Sequence, residues 1–501
     1  MKNMLEALER TAERCPLRVA FYDDREQMTF ADLRSAARRI GSCIRQYARP
    51  REAVALLIDA RSIQNIPALY GALYAGCAYA PMDIAMPPER LRQLLALLSP
   101  AAVVADEKGE KAYAACGLEA GKLVRCADAV ACPEDGEALE AVRRQARSDD
   151  PMSILYTSGS TGVPKGSVQT HASYIAWTEA TITMYGLQED TVFGNQSPFF
   201  YANSILDIFP PVALGAKVYL LPSGVLTFPK RLIQCLNEHQ ITEFCMTPSS
   251  FISVVSAGVL TDGCLPGLRW GIMSGESMPW QPLDAWMRAT PAASWWHFYG
   301  STEMFSVAVG RVDPSYSTEK RLPVGKLFPG VEVLFLDDNG DPVPDGEPGE
   351  MYVQSPWVAT GYYRDEARTD AAWVTMAGRR RYRSGDMGYL RPDGQLMVLG
   401  RKDRQIKHMG YRMELGEVEA AVSAVPGINE SAVLYDREND RIFCYYTGAS
   451  DEKTVKAALK ARLARYMLPD ELIRLPQMPH TASMKIDRGA LSRSMAEKNE
   501  K

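Results

Sequence analysis

The sequence predicts an α/β protein. A large N-terminal part has mainly parallel sheets layered with helices plus a β-rich subdomain, and a small α+β part follows it. Two observations lead there. Over residues 1–150, and again over 217–275, short apolar runs alternate with helical patterns, the signature of a parallel sheet covered on both faces. From about residue 331 the texture changes to short extended segments separated by turn signals: DDNG, PDGEPGE and RPDG.

In order along the chain, residues 33–44 read as a helix and AVALLIDA (53–60) as a buried strand. IPALYGALYAG reads as a helix closed by Gly76, and AAVVAD as the next strand. AKVYLL, a helix over 229–239, EFCMTP and LRWGIMSG repeat the pattern. Beyond residue 400 come a helix over 415–425, strands around SAVLYD and IFCYYTG, and a helix over 452–466. The expected division is a large domain over 1–400, a boundary at 401–403, a small domain over 404–493, and a polar, frayed tail over 494–501.

Composition narrows the function classes. At 501 residues the chain exceeds one typical core, and 46% hydrophobic with 23% charged residues is ordinary for a soluble globular protein. A net charge of −5 argues against a nucleic-acid partner. No run approaches the ~18 apolar residues of a membrane span, and the amphipathic, acid-bearing start is not a signal peptide. Ten cysteines are scattered without a CxxC pair, which points to reduced thiols and a cytoplasmic setting.

The most informative segment is LYTSGSTGVPKG (155–166), directly after the apolar strand SILY. Gly159, Gly162 and Gly166 let backbone N–H groups approach an anion; Thr157, Ser158, Ser160 and Thr161 add hydroxyls, and Lys165 adds a cation. These form a phosphate cradle. The spacing is neither that of GxxxxGK[ST] nor that of the G-x-S-x-G elbow. A flexible surface loop is the alternative reading of such a Gly/Ser/Thr cluster.

Around it lie MTFADL (28–33), LYAGCAYAPMD (73–83), FYGSTE (298–303), GEMYV with ATGYY (349–363), YRSGDMGYL (382–390), GRKDRQIKHMGYRMELGEVE (400–419) and MKIDRGAL (484–491). With the phosphate loop these eight motifs, in this order, resemble the adenylate-forming superfamily, in particular nonribosomal peptide synthetase adenylation domains and D-alanine carrier-protein ligases. The resemblance implies an enzyme, an acid–thiol ligase that uses ATP and Mg²⁺. It would activate a carboxylic acid as acyl-AMP, release pyrophosphate, and pass the acyl group to the phosphopantetheine thiol of a carrier protein. Coenzyme A as acceptor is the alternative, and an inactive ligand-binding relative a second one.

The chemistry explains the residue types. Bringing a carboxylate against the α-phosphate sets two anions ~4 Å apart, a repulsion of roughly 4 kcal/mol at an effective dielectric near 20. Cations and oriented donors are therefore required. By resemblance the loop from Thr157 to Lys165 holds the β- and γ-phosphates. Glu303 binds Mg²⁺, Thr302 contacts the α-phosphate, Tyr299 stacks on adenine beside Gly300, and Asp386 with Arg401 takes the ribose. Lys485 bridges the acid and the α-phosphate. The C-terminal domain is then a mobile lid pivoting at Asp403, with the stretch Gly410-Tyr411-Arg412 facing the incoming thiol. Without the flanking motifs, Tyr299 would read as a core tyrosine, Asp386 as a turn residue, and Arg401 and Lys485 as surface cations.

Departures from the family carry the substrate reading. Ser204 and Asp207 fix a register that puts Ala202 where amino-acid-activating members carry the aspartate for the α-ammonium. A buried ammonium without a counter-charge is costly, so a substrate lacking an α-amino group is expected. The rest of the inferred acyl pocket is Asn203, Leu206, Cys245, Ile272, Ser274, Phe298, Ser306 and Val307. Ser301 stands where proline is usual, Met484 where glycine is, and Ser355-Pro356-Trp357 replaces a glycine-rich stretch.

Overall fold

Thr29 and Asp32 form a capping box, so the first long helix begins at Phe30, three residues before its apolar pattern, and runs to Ile44. The strand Ala53–Leu57 follows, all five residues buried, parallel to both Ala78–Pro81 and Ala102–Ala105. The computed structural model describes residues 1–59, 61–158, 163–276, 278–319, 321–376, 378–437, 439–480 and 486–499. Among these the strands form five sheets.

The first sheet runs, edge to edge, Gly361–Tyr362, Lys165–Thr170, Pro151–Thr157, Ala78–Pro81, Ala53–Leu57, Ala102–Ala105 and Lys122–Arg125. The second has at its centre the parallel strands Ser294–Ser301, Trp270–Ser274, Glu243–Met246, Val192–Asn195 and Lys217–Leu220. Helices such as Ile66–Tyr74 and Ser204–Leu214 are buried nearly all round, as elements sandwiched between sheets must be. The antiparallel sheet foreseen after residue 331 comprises Glu332–Leu336, Gly349–Gln354, Arg379–Leu390, Trp373–Met376 and Leu396–Arg401.

The C-terminal unit starts with the hairpin Gln405–His408 and Tyr411–Glu414, then the helix Leu415–Ser423. Its three-stranded sheet joins Ile428–Asp436, Arg441–Gly448 and Glu471–Arg474. Two expectations change here. The helix foreseen over 452–466 ends at Lys460. Leu463, Ala464 and Met467 turn inward to the unit's core, and Leu468 precedes a proline, which disfavours helix. The segment expected as a frayed tail is helical as far as Asn499, within Arg488–Asn499, a stretch free of proline after Gly489.

Candidate functional site

The strands Pro151–Thr157 and Lys165–Thr170, on either side of the phosphate loop, are antiparallel neighbours, with Thr157 opposite Lys165. Gly159, Ser160, Thr161 and Gly162 lie outside the described residues. The loop's described ends already form a polar pocket. Thr157 Oγ1 is buried without a hydrogen-bond partner, and Ser158 Oγ donates to the Arg412 carbonyl at 3.0 Å. Lys165 Nζ sits 3.7 Å from Glu303 Oε1 and 4.9 Å above the Tyr362 ring. Burial, with the Arg412 guanidinium adding to it and Glu303 opposing it, lowers the Lys165 ammonium to about 8.

Glu303 lies in the turn between the antiparallel strands Ser294–Ser301 and Phe305–Arg311. Gly300 makes that turn possible, because a Cβ there would overlap the Phe305 carbonyl. Glu303 is fully buried yet surrounded by donors. Oε1 accepts from Tyr362 Oη at 3.0 Å; Oε2 accepts from Ser301 Oγ at 2.9 Å and from Arg412 Nη1. Burial would raise this carboxyl, but Arg412 and Lys165 hold it well below the usual carboxylate range. The serine in place of proline at 301 thus supplies a bond to the central carboxylate.

Beside it is a cavity of about 670 Å³ whose lining includes Tyr299, Gly300, Asp386, Arg401 and Lys407. Tyr299 Oη donates to Asp386 Oδ2 at 2.5 Å, and Arg401 Nη1 approaches Asp386 Oδ1 at 3.5 Å. Arg401 also forks onto Asp403 through Nε at 2.9 Å and Nη2 at 2.5 Å. This ties the boundary segment to the last strand of the large domain.

A smaller, adjoining cavity of about 70 Å³ brings together Ala202, Asn203, Leu206, Ser274, Phe298 and Ser306 from the inferred acyl-pocket set, with Trp177, Tyr185, Lys407 and Arg412. Its polar groups satisfy one another: Asn203 Nδ2 donates to Ser274 Oγ at 3.2 Å and Trp177 Nε1 to Ser306 Oγ at 3.1 Å. Trp357, the bulky departure, is buried behind the wall and donates from Nε1 to the Ser306 carbonyl at 2.7 Å. Cys245, Ile272 and Val307 are buried in the core rather than on the cavity surface; Cys245 and Ile272 are paired neighbours on parallel strands.

The C-terminal hairpin closes the site. At its tip Gly410 has φ +82, donates its N–H to Glu276 Oε1 at 3.1 Å, and accepts at its carbonyl from Tyr201 Oη. A Cβ there would meet Thr247 at 2.7 Å, so only glycine lets the tip seat. Tyr411 stacks on Tyr466 with ring centroids 4.0 Å apart, and Arg90 pairs with Glu417 across the two units. Lys485 and Met484 lie outside the described residues. Their neighbours are anchored on the C-terminal unit: His480 Nε2 lies 2.7 Å from Glu430, and Ile486 packs with Met478 and Leu491.

The family model described as AMP-binding enzyme matches residues 8–363, and that of its C-terminal domain matches 417–485. The chain belongs to the AMP-binding enzyme family. It is an adenylate-forming ligase that uses ATP. A D-alanine–D-alanyl carrier protein ligase of Lacticaseibacillus rhamnosus is 27% identical, over 98% of both chains. Bacitracin synthase 1 of Bacillus licheniformis is 29% identical over 98% of this chain, which spans only 9% of that relative. The solved structure of the Vibrio cholerae adenylation domain AlmE with glycyl-adenosine-5′-phosphate superposes with a TM-score of 0.86 at 19% identity, covering 99% of this chain and 98% of that one, a likeness of fold.

In this AMP-binding enzyme Lys165 and Arg412 converge on Glu303, Arg412 lines both cavities and Thr302 the smaller one, while Asp386 and Arg401 face the larger one. Sequence reasoning passed over Lys407, which lines both cavities, and set Arg412 beside the incoming thiol without its contact to Glu303. The signal was present: in the strands Gln405–His408 and Tyr411–Glu414 the tip glycine is flanked by cations at 407 and 412, which are directly paired. Trp177 and Tyr185 gave no local signal beyond lying two helical turns apart on His171–Tyr185.

Proposed function

We propose that this ligase activates a carboxylic acid lacking an α-amino group and delivers it to the phosphopantetheine thiol of a carrier protein. The observation that carries the reading is the acyl cavity itself. Ala202 lines it, Asn203 is bonded to Ser274, and among the described residues none of its lining side chains is a carboxylate that could pair an ammonium. A buried ammonium without a counter-charge is costly, so such a wall suits an acid without one. The carrier half of the Lacticaseibacillus relative's name is taken over here, and the D-alanine half is not.

In the first half-reaction the acid's oxygen attacks the α-phosphorus, the bond from that phosphorus to the bridging oxygen breaks, and pyrophosphate leaves. Thr157, Ser158 and Lys165, with Gly159 to Gly162, hold the leaving phosphates. Asp386, oriented by Tyr299 and Arg401, accepts from the ribose hydroxyls, and the Tyr299 ring faces the adenine. Lys485 spans the two reacting anions. The residues fit a divalent cation carried by the nucleotide: Glu303 is an ionised hard-oxygen donor, and Mg²⁺ needs few protein ligands when phosphates supply the rest. Mg²⁺ would offset charge on the phosphate oxygens. In the second half-reaction the thiol sulfur attacks the acyl carbon and AMP leaves. An arrangement with Gly410 at the site and the flanks of Lys485 held on the C-terminal unit suits that step. Asp403 is the pivot between the two arrangements.

The test is transfer from a supplied acyl adenylate to phosphopantetheinylated carrier proteins and, in parallel, to coenzyme A. Faster loading of a carrier supports the reading. Efficient transfer to coenzyme A alone overturns the acceptor assignment.

A further inference from the structure

Four side chains face the Glu303 oxygens. Tyr362 and Lys165 face Oε1; Ser301 and Arg412 face Oε2. Arg412 is the one of these that comes from the C-terminal unit, and it is doubly fixed. Its Nε donates to Gln405 Oε1 at 2.5 Å, and its carbonyl accepts from Ser158 of the phosphate loop. Gln405 is held in turn by Glu414 at 2.5 Å. The hairpin therefore presents a rigid guanidinium to the carboxylate proposed above to hold the nucleotide's cation.

A divalent cation would bind that carboxylate at about 2.0–2.1 Å. It would then lie within a few ångströms of a guanidinium hydrogen-bonded to the same group, and both are positive. We propose that Arg412 and the divalent cation compete for Glu303, so the C-terminal hairpin seats on the site once the metal has left with the pyrophosphate, while the acyl adenylate stays bound. Arg412 is a positioning residue. It replaces the departing positive charge, keeps the buried carboxylate paired, and locks Gly410 against Glu276 and Tyr201. This rests on the reading of Glu303 as a cation ligand.

Two measurements on the full-length protein test it. The first follows backbone hydrogen exchange over 405–414 with α,β-methylene-ATP, with Mg²⁺ or with EDTA. The hairpin should lose protection when Mg²⁺ and nucleotide are both present, and keep more of it in EDTA. The second compares binding of Mg²⁺–α,β-methylene-ATP by calorimetry. Arg412→Met should bind about tenfold more tightly than the native protein, a coupling of ordinary size, with hairpin amides already fast without ligand. Arg412→Lys should fall between. Unchanged or weaker binding by Arg412→Met, or native hairpin protection indifferent to Mg²⁺–nucleotide, overturns the competition. No binding by the native protein overturns the cation-site reading as well. The exchange experiment needs no variant, so a misfolded Arg412→Met leaves it decisive.

Discussion

Glu303 and Glu243 are both fully buried and have opposite surroundings. Glu303 has Lys165, Arg412, Ser301 and Tyr362 on its oxygens and stays ionised. Glu243, on the strand Glu243–Met246 behind the acyl cavity, has neither oxygen hydrogen-bonded. Burial, and then the nearby Asp207 carboxyl, push it well above the usual range. Asp207 shares the same direction of shift from burial, although Asn195 donates to its Oδ2 at 2.9 Å. The protein thus gathers cations around Glu303 and gives the neighbouring carboxyls of Glu243 and Asp207 none. A buried acid is a functional anion only where counter-charges surround it.

The comparison can be broken first at Glu303. Glu303→Gln should reduce acyl-AMP formation by about 10²–10³-fold, the usual cost of removing a preorganised electrostatic group. It also leaves Arg412 buried opposite a neutral amide, a loss of about 3–5 kcal/mol, readable by denaturant unfolding. Activity and stability both unchanged would mean the carboxylate is a bystander.

Next in size is the hairpin tip. Gly410→Ala meets both the positive φ and Thr247 at 2.7 Å, a cost of about 1–2 kcal/mol. Transfer from a supplied acyl adenylate should slow about tenfold, with pyrophosphate exchange far less affected. Equal loss in both assays would contradict a tip that acts in transfer alone.

The smallest effect is at Glu243. Glu243→Gln keeps the shape and removes the titration. Because the folded-state carboxyl is raised above its ordinary value of 4.5, its contribution to stability is present below that pH and is lost as pH rises above it. The variant should therefore gain on the native protein in melting temperature from pH 5 to pH 8. A gap independent of pH would show that Glu243 is ionised in the fold.

How much of this was legible beforehand follows from chain locality. The phosphate loop, Thr302-Glu303 and Asp386 were readable because each lies in a continuous motif that must carry glycines, hydroxyls and charges side by side. The parallel sheets were readable because fully buried strands are uninterrupted apolar runs. Glu243 was not, since it interrupts such a run, although its place two residues before Cys245 puts it on the same strand face. Lys407 and Arg412 were readable as cations, but their target was set by how the hairpin docks. The early end of the helix Glu452–Lys460 depended on packing of Leu463 and Met467 that periodicity does not encode. The role of Trp357 as backing for the acyl wall needed the fold.

The most direct measurement is acid-dependent exchange of labelled pyrophosphate into ATP with matched acids: alanine against pyruvate and lactate, valine against 2-oxoisovalerate, with benzoate, salicylate and short fatty acids alongside. The account predicts Mg²⁺-dependent exchange with AMP as the nucleotide product, and acids without an α-amino group ahead of their amino-acid counterparts by orders of magnitude. Exchange fastest with an α-amino acid would contradict an acyl wall without a carboxylate for the ammonium, and ADP in place of AMP would contradict adenylation itself.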